Sequence, residues 1–131
     1  MQVKSIYKQS IDRDTYKVKP LDDKHLRFFN YAINEAKKSE LINKHGCIIV
    51  KNGIIISQGH NIRYNLLSDF KSIHAELMAI NKIKFMRDLS NCEMYVVRLS
   101  ENTGELMFSK PCILCTPIIK RYKISKIYYS Y

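Results

Sequence analysis

Two short segments far apart in the chain, His74-Ala75-Glu76 and Pro111-Cys112-Ile113-Leu114-Cys115, limit the folds this sequence can adopt, because binding one ion requires both to meet at one point. His74, Cys112 and Cys115 offer three borderline or soft metal donors, and Glu76 adds an uncommitted carboxylate. Structural zinc sites are closed by four protein ligands, whereas hydrolytic ones keep three and leave the fourth position to water. The donor count therefore favours chemistry. A structural site would need a fourth ligand from His25, His45 or His60.

The order of elements shows how the two segments can meet. Residues 1–20 form a polar, lysine-rich lead-in closed by Pro20, and residues 21–131 are expected to form one domain. Asp22 or Asp23 is placed to cap a helix with apolar positions Leu26, Phe29, Ile33 and Ala36, ending near Glu40. Two β-branched runs, Cys47 to Val50 and Ile54 to Ile56, flank Lys51-Asn52-Gly53, and Asn-Gly fits a tight hairpin turn. Gly59 to Ser72 reads as a loop, His74 to Phe85 as a helix covered on both faces, and Met94 to Val97 as a strand. Ser100 to Lys110 is expected to be a loop, and Cys112 to Tyr122 a helix whose Pro117 must lie within about its first turn. Lys126 to Tyr129 gives a last strand. The expected fold is a three-layer α/β/α domain on a mixed sheet of four to five strands, with the hairpin first and the last two strands parallel through a helical crossover.

On this layout His74 begins one helix and Cys112 to Cys115 open another. The Cys-x-x-Cys spacing places two sulfurs on one side of a turn, and positive helix ends favour thiolate. Glu76, two residues after His74, points about 200° away on a regular helix, so it is expected to lean over the open position rather than ligate. There it would exchange a proton with a metal-bound water. One zinc per chain, with water as fourth ligand, is the expected cofactor. Cys47 and Cys92 are expected to be buried thiols in strands.

The net charge of +10 rests on 16 lysines and 6 arginines spread along the whole chain. Spread charge of this kind speaks to solubility and steering more than to a dedicated polynucleotide face, although a nucleic-acid partner stays open. No run reaches the roughly 20 apolar residues that span a bilayer, and Met1 to Ser10 has no signal-like apolar stretch. A soluble intracellular protein with no membrane partner is expected.

Together, His74-Ala75-Glu76 and Pro111-Cys112-x-x-Cys115 resemble the zinc-dependent cytidine and deoxycytidylate deaminase superfamily, whose His-x-Glu and Pro-Cys-x-x-Cys pattern is a general signature of zinc deaminases. The similarity covers roughly residues 24–130, including Gly46 to Val50, Ile54 to Asn61 and Ile127 to Tyr129. It implies His74, Cys112 and Cys115 as zinc ligands and Glu76 as proton shuttle. It also implies that Asn61 bonds a ribose hydroxyl and the Ala75 backbone N–H holds the base carbonyl. The implied reaction is hydrolytic deamination, with zinc hydroxide attacking C4 of cytosine. Tyr129 and Tyr131, on one face by period two, are candidates to stack on the base, with Tyr128 pointing the other way. Tyr64 and Phe70 are further pocket candidates. His45 lies near the expected pocket floor as a structural histidine.

Relatives usually continue into a fifth strand and a helix, so here either the sheet has four strands or the segment around Val3 to Tyr7 fills an edge. A short sheet leaves an exposed edge, and self-association as a homo-oligomer is expected. The first functional expectation is a deaminase of a free cytosine nucleoside or nucleotide, of CMP or dCMP type, with Lys44, Arg63 and Lys71 available for a 5′-phosphate. The alternative is a polynucleotide deaminase acting on cytosine or on tRNA adenosine. A catalytically silent zinc-stabilised nucleic-acid-binding module is the third.

Overall fold

In the computed structural model, residues 6–10, 13–19, 23–65, 68–100, 103–107, 109, 115–124 and 126–130 are described. Strands β1 (Ile6–Ser10) and β2 (Arg13–Lys19) precede helix α1 (Asp23–Ala36). The hairpin β3 (Asn43–Lys51) and β4 (Ile54–His60) follows, then β5 (Ile62–Asn65) and β6 (Ser68–Ile73). Helix α2 (Ala75–Lys82), β7 (Cys92–Ser100), β8 (Leu106–Met107), α3 (Thr116–Arg121) and β9 (Lys126–Ser130) complete the order. The main sheet runs β2-β1-β9-β7-β3-β4, with β8 also paired to β7, while β5 and β6 form a separate pair.

The hairpin turns where expected, with Asn52 and Gly53 both at positive φ (52° and 77°), the combination a tight hairpin turn demands. β7 and β9 are parallel, and α3 lies between them in sequence as the crossover. Pro117 falls in the first turn of α3, where its missing N–H has no intrahelical partner to lose.

Alternation along the strands divides the interior into two layers. Cys47, Ile49, Met94, Val96, Ile127 and Tyr129 pack with Ala79 and Ile80 of α2 and Ile119 of α3. Ile48, Val50, Tyr95, Val97 and Tyr128 pack with Phe28, Phe29, Ala32 and Ile33 of α1. One helix therefore covers one face of the sheet and two cover the other, which is the expected three-layer arrangement.

Two glycines set how closely the helices approach. A Cβ on Gly46 would lie 2.1 Å from the Ala32 carbonyl oxygen of α1, and one on Gly59 would lie 2.6 Å from Ala79 N and 2.8 Å from Ala75 O of α2. They sit on the paired strands β3 and β4, one register step apart, and serve opposite faces. The Ser57 hydroxyl donates to Ala79 O at 2.6 Å, fixing α2 to the same strand.

Several expectations need correction. The mixed sheet is as expected, with the N-terminal segment filling an edge as β1, antiparallel to β9; β2 and the short β8 extend it to seven strands beyond the expected core. Paired edge strands satisfy their backbone groups without needing the apolar alternation that flags a strand in a sequence. The expected loops Gly59 to Ser72 and Ser100 to Lys110 contain β5, β6 and β8 for the same reason. Helix α1 stops at Ala36, since Lys38 and Ser39 turn through bonds from their N–H groups to Glu35 O and Ala36 O. Leu26 faces outward, and Phe28, Phe29 and Ala32 take the core positions. Helix α2 ends at Lys82, short of Phe85, which is exposed.

Replacing Gly59 or Gly46 by Ala is expected to cost about 1–3 kcal/mol each in urea unfolding, through overpacking against helix backbone. Only Gly59→Ala, which lies beneath α2, is expected to weaken zinc retention against a chelator as well.

Candidate metal centre

His74 is the N-cap of α2 and Cys115 the N-cap of α3, so two helix starts bring the two sequence segments together. His74 Nδ1 lies 3.2 Å from Cys115 Sγ. Ligand atoms of His74, Glu76 and Cys115 all lie within 4.8 Å of one another. Zinc bonds of about 2.1 Å to nitrogen and 2.3 Å to sulfur in a tetrahedral arrangement imply an N···S separation of about 3.6 Å, so the pair fits one ion. Cys115 is fully buried at the start of α3, where the helix N-terminus favours a ligating thiolate. Cys112, Pro111 and Tyr131 lie outside the described residues.

Glu76 is 4% exposed, and its Oε1 has no hydrogen-bond partner among the described residues. Burial pushes its carboxyl above the ordinary range, and bonds from its own backbone N–H and with Cys115, together with the charge of His74, offset this in part. A buried carboxylate oxygen left open beside two metal donors is poised for a ligand or a water rather than for packing.

The histidines that would close a structural site are placed elsewhere. His60 Nδ1 meets Glu35 Oε1 at 2.9 Å, and the His25 ring lies 4.6 Å from that of Tyr128, both on the α1 side. Glu35 itself is buried, which alone would raise its carboxyl, but bonds from His60 and Lys38 outweigh this and hold it low. His45 is on the metal side of β3. Its imidazole is lowered to about 4 by burial, then by the charges of Arg98 and His74. Among the described residues no fourth histidine or cysteine joins the cluster.

Asn61 is buried and clamps the hairpin: its Oδ1 accepts the His45 N–H at 2.8 Å and its Nδ2 donates to Asn43 O at 2.6 Å. It also lines a surface cleft with Lys38, Glu40, Leu41, His60, Ile62 and Arg63. Tyr129 is fully buried in the layer that holds Ala75 and Cys115, whereas Tyr128 stacks on Tyr95 on the other face at 4.8 Å. The side chains of Tyr64, Phe70 and Lys71 lie outside the described residues. Cys47 and Cys92 are buried thiols in β3 and β7, as expected. Two elements of the site region escaped the sequence reading: the glycine contact that seats α2, and Arg98, opposite His45 across β3 and β7.

Residues 22–131 match the family described as the cytidine and deoxycytidylate deaminase zinc-binding region. The chain belongs to this family. Within it, the chain is 35% identical over 107 residues to a tRNA-specific adenosine deaminase of Streptococcus pyogenes serotype M18, covering 79% of this chain and 60% of that protein. It thus spans somewhat over half the length of the curated relatives it matches. The fold is shared with a cytidine deaminase from Burkholderia pseudomallei (TM-score 0.60, 19% identity, 76% of each chain). It is also shared with a dCMP deaminase from the cyanophage S-TIM5 in complex with dCMP and dUMP (TM-score 0.54, 20% identity, 84% and 83% of the chains). No helix among the described residues is long and apolar enough to cross a membrane.

Metal analysis of purified protein is expected to give one zinc per chain, lost in Cys115→Ser and retained in Glu76→Gln. The His45 imidazole is neutral in the fold down to about pH 4 and protonates in the unfolded chain near 6.5, so unfolding draws up a proton between these values. Stability should therefore fall as pH drops through this window, by up to about 3 kcal/mol, and unfolding curves of His45→Gln should lack that component.

Proposed function

We propose that the chain is a zinc-dependent hydrolytic deaminase of a nucleobase held in a polynucleotide, with tRNA adenosine the leading substrate class. The observation that carries the chemistry is the 3.2 Å approach of His74 Nδ1 to Cys115 Sγ, with the buried, open Glu76 carboxylate beside it. The substrate class rests on the 35% identity to a tRNA-specific adenosine deaminase, and the net charge of +10 suits a polyanion. This reverses the order of the first expectation from sequence, which put the free cytosine nucleotide ahead. A dCMP-type substrate is the second reading, suggested by the phage dCMP deaminase that shares the fold.

His74 and Cys115, joined by Cys112, would hold the metal. When bound, zinc supplies Lewis acidity that lowers the pKa of a coordinated water toward about 7. Glu76 accepts the proton of the attacking water and delivers it to the ring nitrogen of the base. It then carries the second proton to the exocyclic amine, which leaves as ammonia. The Ala75 N–H, at the first turn of α2, would bond an acceptor on the base. Asn61 keeps one amide hydrogen and one lone pair after its bonds to β3, and these would serve a ribose hydroxyl.

Incubation of the zinc-loaded protein with tRNA, single-stranded DNA, dCMP, CMP and cytidine, followed by ammonia release and inosine detection, separates the readings. Inosine in tRNA is expected, and ammonia from mononucleotides alone would eliminate the polynucleotide reading. Glu76→Gln is expected to lower kcat by about 10²- to 10⁴-fold with zinc content unchanged, and full activity in that variant would remove Glu76 from the mechanism.

A further inference from the structure

His45 and Arg98 face one another in register across β3 and β7. Two residues further along the same strands, Cys47 and Val96 belong to the layer that holds Ala75, Cys115 and Tyr129. Side chains alternate along a strand, so His45 and Arg98 project to that same face, one step of about 7 Å beyond.

Both are fixed in place. The Arg98 guanidinium donates through Nη2 to Asn43 Oδ1 at 3.0 Å, its backbone N–H bonds Ser130 Oγ at 3.2 Å, and the His45 N–H is held by Asn61. Yet Arg98 Nε and His45 Nε2 are buried and without a hydrogen-bond partner among the described residues. Among the described residues no carboxylate pairs with Arg98: the ion-paired carboxylates, Glu35 and Asp88, are engaged by His60, Lys38 and Lys123. Arg98 is half-buried, with Nη2 toward solvent and the Nε donor buried and open, so an anion entering from the exposed side would complete it, and a guanidinium matches phosphate oxygens in geometry as well as charge.

We infer that Arg98 and His45 form an anion subsite beside the metal-ligating cluster that takes a phosphate of the substrate nucleotide. The assignment of the phosphate to a substrate rests on reading that cluster as the deaminating site. A 5′-phosphate of a mononucleotide and a phosphodiester of an RNA strand present the same chemistry here, and this subsite accepts either.

The test is calorimetric binding to the zinc-loaded protein of inorganic phosphate, deoxycytidine, dCMP and a tRNA anticodon stem-loop. Arg98→Gln is expected to weaken phosphate, together with dCMP or the stem-loop, by about tenfold or more, and to affect deoxycytidine far less. Loss on dCMP assigns the 5′-phosphate, and loss on the stem-loop alone assigns the phosphodiester. His45→Gln is expected to act in the same direction. If circular dichroism shows that Arg98→Gln does not fold, Arg98→Lys, which keeps the charge but loses the Nε donor, is expected to show a smaller loss of the same pattern. Wild-type affinity for phosphate and nucleotide in these variants overturns the subsite, as does an equal loss from the exposed Lys84→Gln. Phosphate binding needs no turnover, so a loss confined to Arg98 and His45 variants in a protein that deaminates nothing would keep the subsite and refute the deaminase reading instead.

Discussion

The contact between α2 and β4 at Gly59 governs the placement of the site. With no Cβ there, the backbone of α2 rests on the strand, with Ala75 O and Ala79 N where a side chain would be. His74 and Glu76 flank Ala75, so the depth of that contact sets the depth of both. Ser57 adds a hydrogen bond to Ala79 O that fixes the helix along the strand. On the other side of the sheet Gly46 does the same for α1. The sheet is thus held between two close helix contacts on neighbouring strands, and the metal donors sit at the end of one of them. Proteins place ligating groups on rigid elements because small displacements of a donor are costly in affinity and rate.

The second candidate ligand segment arrives by a different route. β7 and β9 are parallel and α3 crosses between them, delivering Cys115 to the face where α2 begins. Leu89 N–H bonds Tyr122 O at 2.8 Å, tying the approach to β7 to the end of that crossover. Buried Ile119, Ile124 and Ile127 pack the same layer as Ala79 and Ile80. The two N-caps meet because one apolar layer holds both helices, with Cys115 inside that layer and His74 beside it.

Much of this was legible in the residues. Asn52-Gly53 between β-branched runs specifies its turn by local conformation alone, and the meeting of His74, Glu76 and Cys115 at one point follows from residue types and order. The split of Tyr128 and Tyr129 onto opposite faces follows from strand periodicity and is seen in the two core layers. Features set by tertiary pairing were not legible. β1, β2, β5 and β6 are polar strands, and nothing in their composition separates them from loops. Gly59 reads as a turn residue until the helix above it is known. His45 and Arg98 are distant in sequence, and only the β3–β7 register makes them a pair.

The proposed deamination depends on a three-ligand metal centre with the Glu76 carboxylate beside it. Crystallography of the zinc-loaded protein with data at the zinc absorption edge tests it most directly. One ion per chain is expected, bound by His74 Nδ1 and the sulfurs of Cys112 and Cys115, with a water in the fourth position and Glu76 outside the coordination sphere and bonded to that water. A fourth protein ligand, Glu76 included, or zinc held elsewhere on the chain would contradict it.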